Sequence, residues 1–212
     1  MQKQEILDMI STEKDPEIDP LAVLVLQDES LLTELIKGLR SKKETYRFNC
    51  LKILDKIGKD DPNQLYKYWD GLVEQLRSSN AYHRMTGIIL LADLAYVDKE
   101  GRFENIFDDY FGLLDDEKVI VACYVGRYAW KIAEGEPQLR EKVVEALLGI
   151  IHTHHVEDRK ALVSADIIPS LGKIYETSSN KKKIMSFVEG HLDASSPKAR
   201  KAAKAFLKQF GE

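Results

Sequence analysis

One apolar pattern returns five times along this chain and limits what it can fold into. Counting from Arg84, residues Gly87, Ile88, Leu91 and Leu94 fall three, four, seven and ten places on. That spacing places them on one stripe of a helix. The same offsets from Arg47 give Cys50, Leu51, Leu54 and Ile57, and from Ala122 they give Val125, Gly126, Ala129 and Ile132. From Ser164 they give Ile167, Ile168, Leu171 and Ile174; from Arg200 they give Ala203, Lys204, Leu207 and Phe210, where only Lys204 breaks the pattern. The five starts are separated by 37, 38, 42 and 36 residues. One long apolar helix per such interval cannot seal its own face, so neighbouring units must stack. The chain is therefore expected to be an all-α solenoid of about five helix pairs.

The breakers between stripes set the partner helices. Residues 2–11 predict a short helix, ended by Asp-Pro pairs at 15–16 and 19–20. LAVLVLQ at 21–27 is apolar enough for a strand, but nothing nearby offers a pairing partner, so it reads as a buried helical turn. Residues 1–29 then form an atypical N-terminal cap, and 30–212 one continuous solenoid with units near 30–61, 62–98, 99–135, 136–178 and 179–212. Ser30 is the expected cap for a helix over 31–40, and Ser41 with Glu44 has capping-box spacing for the next. A helix is expected at 64–76, the Arg84 helix from Ser79 or Asn80, and further helices at 103–114, 118–133 and 139–152. A link over 153–160 accounts for the longest interval, followed by helices at 162–175, kinked at Pro169, and at 181–192. Ser196-Pro197 opens the closing helix, and Gly211 ends it.

Composition narrows the function classes. The formal net charge of −4 gives no general attraction to nucleic acid. Charge is uneven, however: residues 1–30 hold two lysines against eight carboxylates, and residues 179–212 hold eight Lys or Arg against three. Such ends suit ordinary solubility, or contact between complementary termini. Cys50 and Cys123 lie on or beside apolar stripes, as reduced thiols of a cytoplasmic protein do. No apolar run is long enough to span a membrane, and the first ten residues do not resemble a signal peptide.

The turns before three of the stripes resemble those of HEAT repeats. In that family a polar turn leads to an Arg opening the second helix of each pair, as Arg47 does in SKKETYR, Arg84 in SSNAYHR and Arg200 in DASSPKAR, with Asp193 as turn aspartate. Ala122 and Ser164 depart from that pattern; Asp116 and Asp158 are expected to keep the turn chemistry. The resemblance covers roughly 30–211 and implies a right-handed stack with first helices outside and second helices lining a concave face. It also implies that the arginines are structural, bonding turn carbonyls or nearby carboxylates.

On that expected concave face the solvent-facing offsets carry Lys52, Lys56, Asp93, Arg127, Lys131, Lys173 and Lys208, with Tyr124 and Trp130 among them and Ile89, Pro169, Ala205 and Gln209 in the same columns. Aromatic rings beside cations combine contact area with directed charge. They suit a protein partner with an acidic segment; the competing reading is a plain solvated helix face. Nucleic acid is the alternative: HEAT-like alkylpurine DNA glycosylases use an aromatic, an Asp and basic residues in a groove, roles that Trp130, Tyr124, Asp93 and Arg127 could fill, though no motif aligns them. The His-Glu pairs of deoxyhypusine hydroxylase-like proteins are missing, since no His here is followed by Glu. HTHHVED at 152–158 puts His152 and His155 three apart, at a helix end and without cysteine, and reads as a solvated turn rather than a metal site. No glycine-rich phosphate loop occurs. The expectation is a non-enzymatic, cofactor-free scaffold without membrane contact.

Overall fold

In the computed structural model, described over residues 2–211, the chain is an all-α solenoid; no strand occurs among the described residues. Two N-terminal helices, α1 (Lys3–Thr12) and α2 (Ile18–Leu26), precede the pairs. The first pair is α3 (Glu29–Gly38) with α4 (Glu44–Asp60). The second has a split first helix, α5 (Asn63–Tyr66) and α6 (Trp69–Leu76), followed by α7 (Ala81–Leu94). Then come α8 (Arg102–Gly112) with α9 (Val119–Gly135), α10 (Arg140–Leu148) with α11 (Glu157–Ile174), and α12 (Lys181–Glu189) with α13 (Pro197–Phe210). Short 3-10 turns extend several of these helices, among them Leu113–Asp115 and Gly149–His152. The helices gather into two compact units, Met1–Val97 and Asp98–Glu212.

Each unit is built the same way. In the first, α4 packs on α7, while α1, α2 and α3 cover α4 and α6 covers α7. In the second, α9 packs on α11 and α11 on α13, with α10 against α9 and α12 against α13. The stripe positions are what these seams bury: Ile57, Ile88, Leu91, Val125, Ile167 and Leu171 are all fully buried. Removing such a side chain from water stabilises by about 1.5–3 kcal/mol. Lys204, the one stripe lysine, stays exposed.

Several local expectations are corrected. Asp28, not Ser30, caps α3, its carboxylate accepting the Ser30 N–H at 2.8 Å. The helix starts at Glu29 because that carboxylate reaches the N–H of the second helical residue, Ser30. Ser41 does not cap α4; Lys43 is the boundary residue, and the Ser41 hydroxyl accepts the Lys43 N–H instead. The expected link over 153–160 is shorter, since α11 already begins at Glu157, where Glu157 and Asp158 suit the positive end of the helix. Asp158 is thus helical, not a turn residue. Asp116 does hold its turn, accepting the Lys118 N–H at 2.8 Å. Asn80 and Ser196 cap α7 and α13 as expected.

The three arginines share one bond. Arg47 donates to the carbonyl of Ser41 at 3.1 Å, Arg84 to that of Ser78 at 2.6 Å, and Arg200 to that of Ala194 at 2.6 Å. Each target lies six residues back, in the turn between the paired helices. A guanidinium reaching into a turn satisfies a carbonyl that the helix ladder cannot. These side chains fix the turns.

Candidate binding face

The solvent side of the second helices differs between the two units. In Met1–Val97, α4 presents Lys52 and Lys56, and both are engaged by the chain's own N-terminal acids. Lys52 Nζ lies 3.0 Å from Asp15 Oδ1, and Lys56 Nζ lies 3.5 Å from Asp19 and 2.9 Å from Asp60. Asp15 belongs to the irregular stretch between α1 and α2. Asn49, two residues into the same repeat register, is fully buried and donates both amide hydrogens to the end of α1 and the stretch after it, to Ile10 O at 2.9 Å and Glu13 O at 2.8 Å. The face of α4 therefore holds an acidic, partly extended segment by its backbone and its carboxylates together.

Asp93 does not face solvent. It is 2% exposed on α7, and a Cβ added to Gly58 would lie 3.2 Å from it, so it fills the close approach of α4 to α7. Ile89 is buried as well. The periodic offset placed both on the outside, but α7 is covered over most of its circumference. With Asp93 enclosed, the carboxylate that a base-excision reading requires is not on this surface.

In Asp98–Glu212 the row α9, α11, α13 carries the aromatic and cationic residues. Arg127 reaches Asp166 of α11 through Nε at 3.2 Å and Nη2 at 3.1 Å, and Lys198 of α13 meets the same oxygen at 2.8 Å. Two cations on one carboxylate leave the cluster positive. Partial burial works against the Arg127 charge, but Asp166 outweighs it and holds the guanidinium above its usual pKa. The Arg127 guanidinium also lies over the Tyr124 ring, 4.8 Å from its centroid, and Tyr124 stacks on Tyr128 with the rings 5° from parallel. Further along α9, Lys173 of α11 sits over the Trp130 ring, its ammonium 3.2 Å from the centroid. Loss of surrounding water lowers the Lys173 pKa, with Glu134 pulling the other way and Lys131 adding repulsion. Lys131 itself is only 6% exposed, its ammonium over the Tyr128 ring 5.2 Å from the centroid, so it too is corrected from the solvent-facing set. Trp130 is further tied to α11 by its backbone N–H, which donates to Ser170 Oγ at 3.0 Å.

Between α11 and α13 lies a groove of about 530 Å³ lined by Pro169, Lys173, Ala205, Phe206, Gln209 and Phe210, among others. Four of these, Pro169, Lys173, Ala205 and Gln209, occupy the columns read from the repeat offsets. Lys208 is exposed on α13. A cavity of about 830 Å³ borders α10, α11 and α12, where Ser164 stands in place of the turn arginine and its buried Oγ has no hydrogen-bond partner. Asn49 and Asp166 were not legible as site residues. Their common signal was a polar residue two places after a stripe start, the offset that Tyr124 shares.

Both cysteines are buried, and burial pushes the Cys50 thiol up to about 12 and that of Cys123 to about 11, so neither is a reactive thiolate. No helix among the described residues is long and apolar enough to cross a membrane.

No family model and no curated protein matches this chain. Solved structures do. A designed armadillo repeat protein matches with a TM-score of 0.62 at 15% identity, over 97% of this chain and 90% of that one. An engineered protein matches with a TM-score of 0.59 at 17% identity, over 98% of both chains. A computationally designed armadillo repeat protein described as made for modular peptide recognition matches with a TM-score of 0.55 at 16% identity, over 98% of this chain and 91% of that one. The fold is therefore armadillo- or HEAT-like.

Proposed function

We propose that this protein is a non-enzymatic scaffold that holds an acidic, extended segment of a protein partner against its second-helix face. The expected concave surface is then the working one, with Tyr124, Arg127, Trp130 and Lys173 as its open part. The observation that carries this reading is internal. On α4, Asn49, Lys52 and Lys56 already hold the chain's own acidic segment through backbone carbonyls and carboxylates. The α9–α11–α13 row offers the same cationic chemistry, strengthened by rings, next to a groove of about 530 Å³. Extended peptides gain affinity from main-chain bonds and specificity from side-chain pockets. That a matching designed protein is described as serving peptide recognition agrees with this use of the fold. The buried, unpaired cysteines suit a reducing, cytoplasmic setting.

The test uses a fluorescein-labelled peptide with the sequence of residues 13–19, EKDPEID. Anisotropy should show saturable binding to the full chain that weakens as salt rises, because exposed charges are screened. The Trp130→Ala, Lys173→Glu double variant should bind at least about tenfold more weakly, since it removes an aromatic anchor and reverses a charge. Equal binding by wild type and variant would remove this face from the account.

A further inference from the structure

The turn after the α10 pair-helix brings together three side chains that the peptide-binding reading does not use. Asp115, His154 and His155 each offer a ligand-capable atom, and these atoms lie within 4.8 Å of one another. Asp115 closes the 3-10 turn after α8, and the histidines follow the 3-10 turn after α10. They thus come from equivalent turns of two successive repeats, 39 residues apart. The sequence alone paired His152 with His155 on helical spacing; the backbone leaves the helix there, and the neighbouring repeat supplies Asp115 instead.

The cluster has the form of a ligand set. His154 approaches Asp115 Oδ1 through its backbone N–H at 2.7 Å and its Nδ1 at 2.5 Å, which leaves Oδ2 outside both contacts. The His154 and His155 rings lie 4.5 Å apart, centroid to centroid. His155 is 3% exposed, and its Nε2 lies 3.2 Å from the Leu114 carbonyl. A carbonyl can only accept, so the proton resides on Nε2 and the Nδ1 lone pair is left over. That Nδ1 is buried and has no hydrogen-bond partner. A buried acceptor without a donor is destabilising unless something occupies it. A histidine whose second ring nitrogen donates to a backbone carbonyl is also the usual arrangement behind a metal ligand, because the bond fixes tautomer and ring orientation.

We propose that Asp115, His154 and His155 bind one divalent transition-metal ion, Zn²⁺ by ligand chemistry, that links the turns of the third and fourth repeats. Two imidazoles and a carboxylate suit zinc, and hard cations such as Mg²⁺ and Ca²⁺ prefer all-oxygen shells. Zinc–ligand distances near 2.0–2.2 Å put ligands of a tetrahedral site about 3.3 Å apart. The most separated pair must therefore close by up to about 1.5 Å while the 2.5 Å His154–Asp115 pair opens, adjustments that fall to the exposed Asp115 and His154 side chains. Three protein ligands leave a fourth position to water. The ion replaces the His154–Asp115 contact and occupies the His155 lone pair.

The test is Zn²⁺ titration of the purified full chain against a fluorescent chelator, with thermal melts in parallel. Wild type should take up one ion per chain and melt higher with Zn²⁺, since a ligand of the native state stabilises it. Asp115→Asn and His154→Ala, both at exposed positions, should bind at least about tenfold more weakly and lose the melting shift. His152→Ala, exposed two residues away, should bind as wild type does. His155→Ala should also lose the ion; should that variant fail to fold, Asp115→Asn and His154→Ala decide the matter. No uptake by wild type, undiminished uptake by Asp115→Asn and His154→Ala, or equal loss in His152→Ala would each overturn the proposal.

Discussion

The two compact units bury the same stripes, yet their second-helix faces end in different states. On α4 the lysines are matched by Asp15, Asp19 and Asp60, and Asn49 is spent on the backbone of the N-terminal segment. On α9 and α11 the cations share one buried carboxylate, Asp166, or lie over rings. The cores are thus interchangeable in kind, and the faces are not. The segment that covers α4 is acidic, so it also neutralises the basic column there. The acidic charge of the N-terminal residues is in part this arrangement.

If the units differ only on their faces, equivalent core positions should respond alike. Leu91 and Leu171 stand at the same offset from their stripe starts, and both are fully buried. Leu91→Ala and Leu171→Ala should each cost roughly 2–5 kcal/mol in denaturant unfolding. A loss at one position only would break the equivalence. The helix seams provide a finer comparison. A Cβ on Gly126 would lie 2.8 Å from the Ile167 side chain and 3.3 Å from its backbone nitrogen, whereas one on Gly58 meets Asp93 at 3.2 Å. Gly126→Ala should therefore destabilise by about 1–3 kcal/mol, and Gly58→Ala by less. Equal melting temperatures for the two variants would show that the α9–α11 seam is no tighter than α4–α7.

The smallest stability effect belongs to the acidic cover. Asp15 and Asp19 are largely exposed, so Asp15→Asn with Asp19→Asn should change stability by no more than about 1 kcal/mol. The same double variant should raise binding of the EKDPEID peptide, because it leaves Lys52 and Lys56 without those partners. Unchanged peptide binding would mean that the cover does not compete with outside ligands.

Much of the fold was legible because the period is carried by large apolar side chains, and burial of Leu91 or Ile167 leaves little choice of face. The three turn arginines were legible through the HEAT resemblance, which implies the bonds to turn carbonyls that Arg47, Arg84 and Arg200 make. The site was less so. Helical offset gives direction, not depth, and so it placed Asp93 and Lys131 in solvent although neighbouring helices enclose them. Asn49 and Asp166 depend on contacts 32 to 39 residues away, which a local period does not encode. His155 shows the same limit, since its partner carbonyl is 41 residues back.

The central claim is that the α9–α11 face is the open counterpart of a face that α4 already uses. Trp130 lies on that face, half-buried, while Trp69, the other tryptophan, is 2% exposed in the first unit. A Trp69→Phe chain therefore reports on Trp130 alone. Titrated with the EKDPEID peptide at low salt, its fluorescence should change saturably, and Lys173→Glu should abolish the change. A flat titration, at peptide concentrations where anisotropy shows binding, would place the ligand elsewhere and contradict the account.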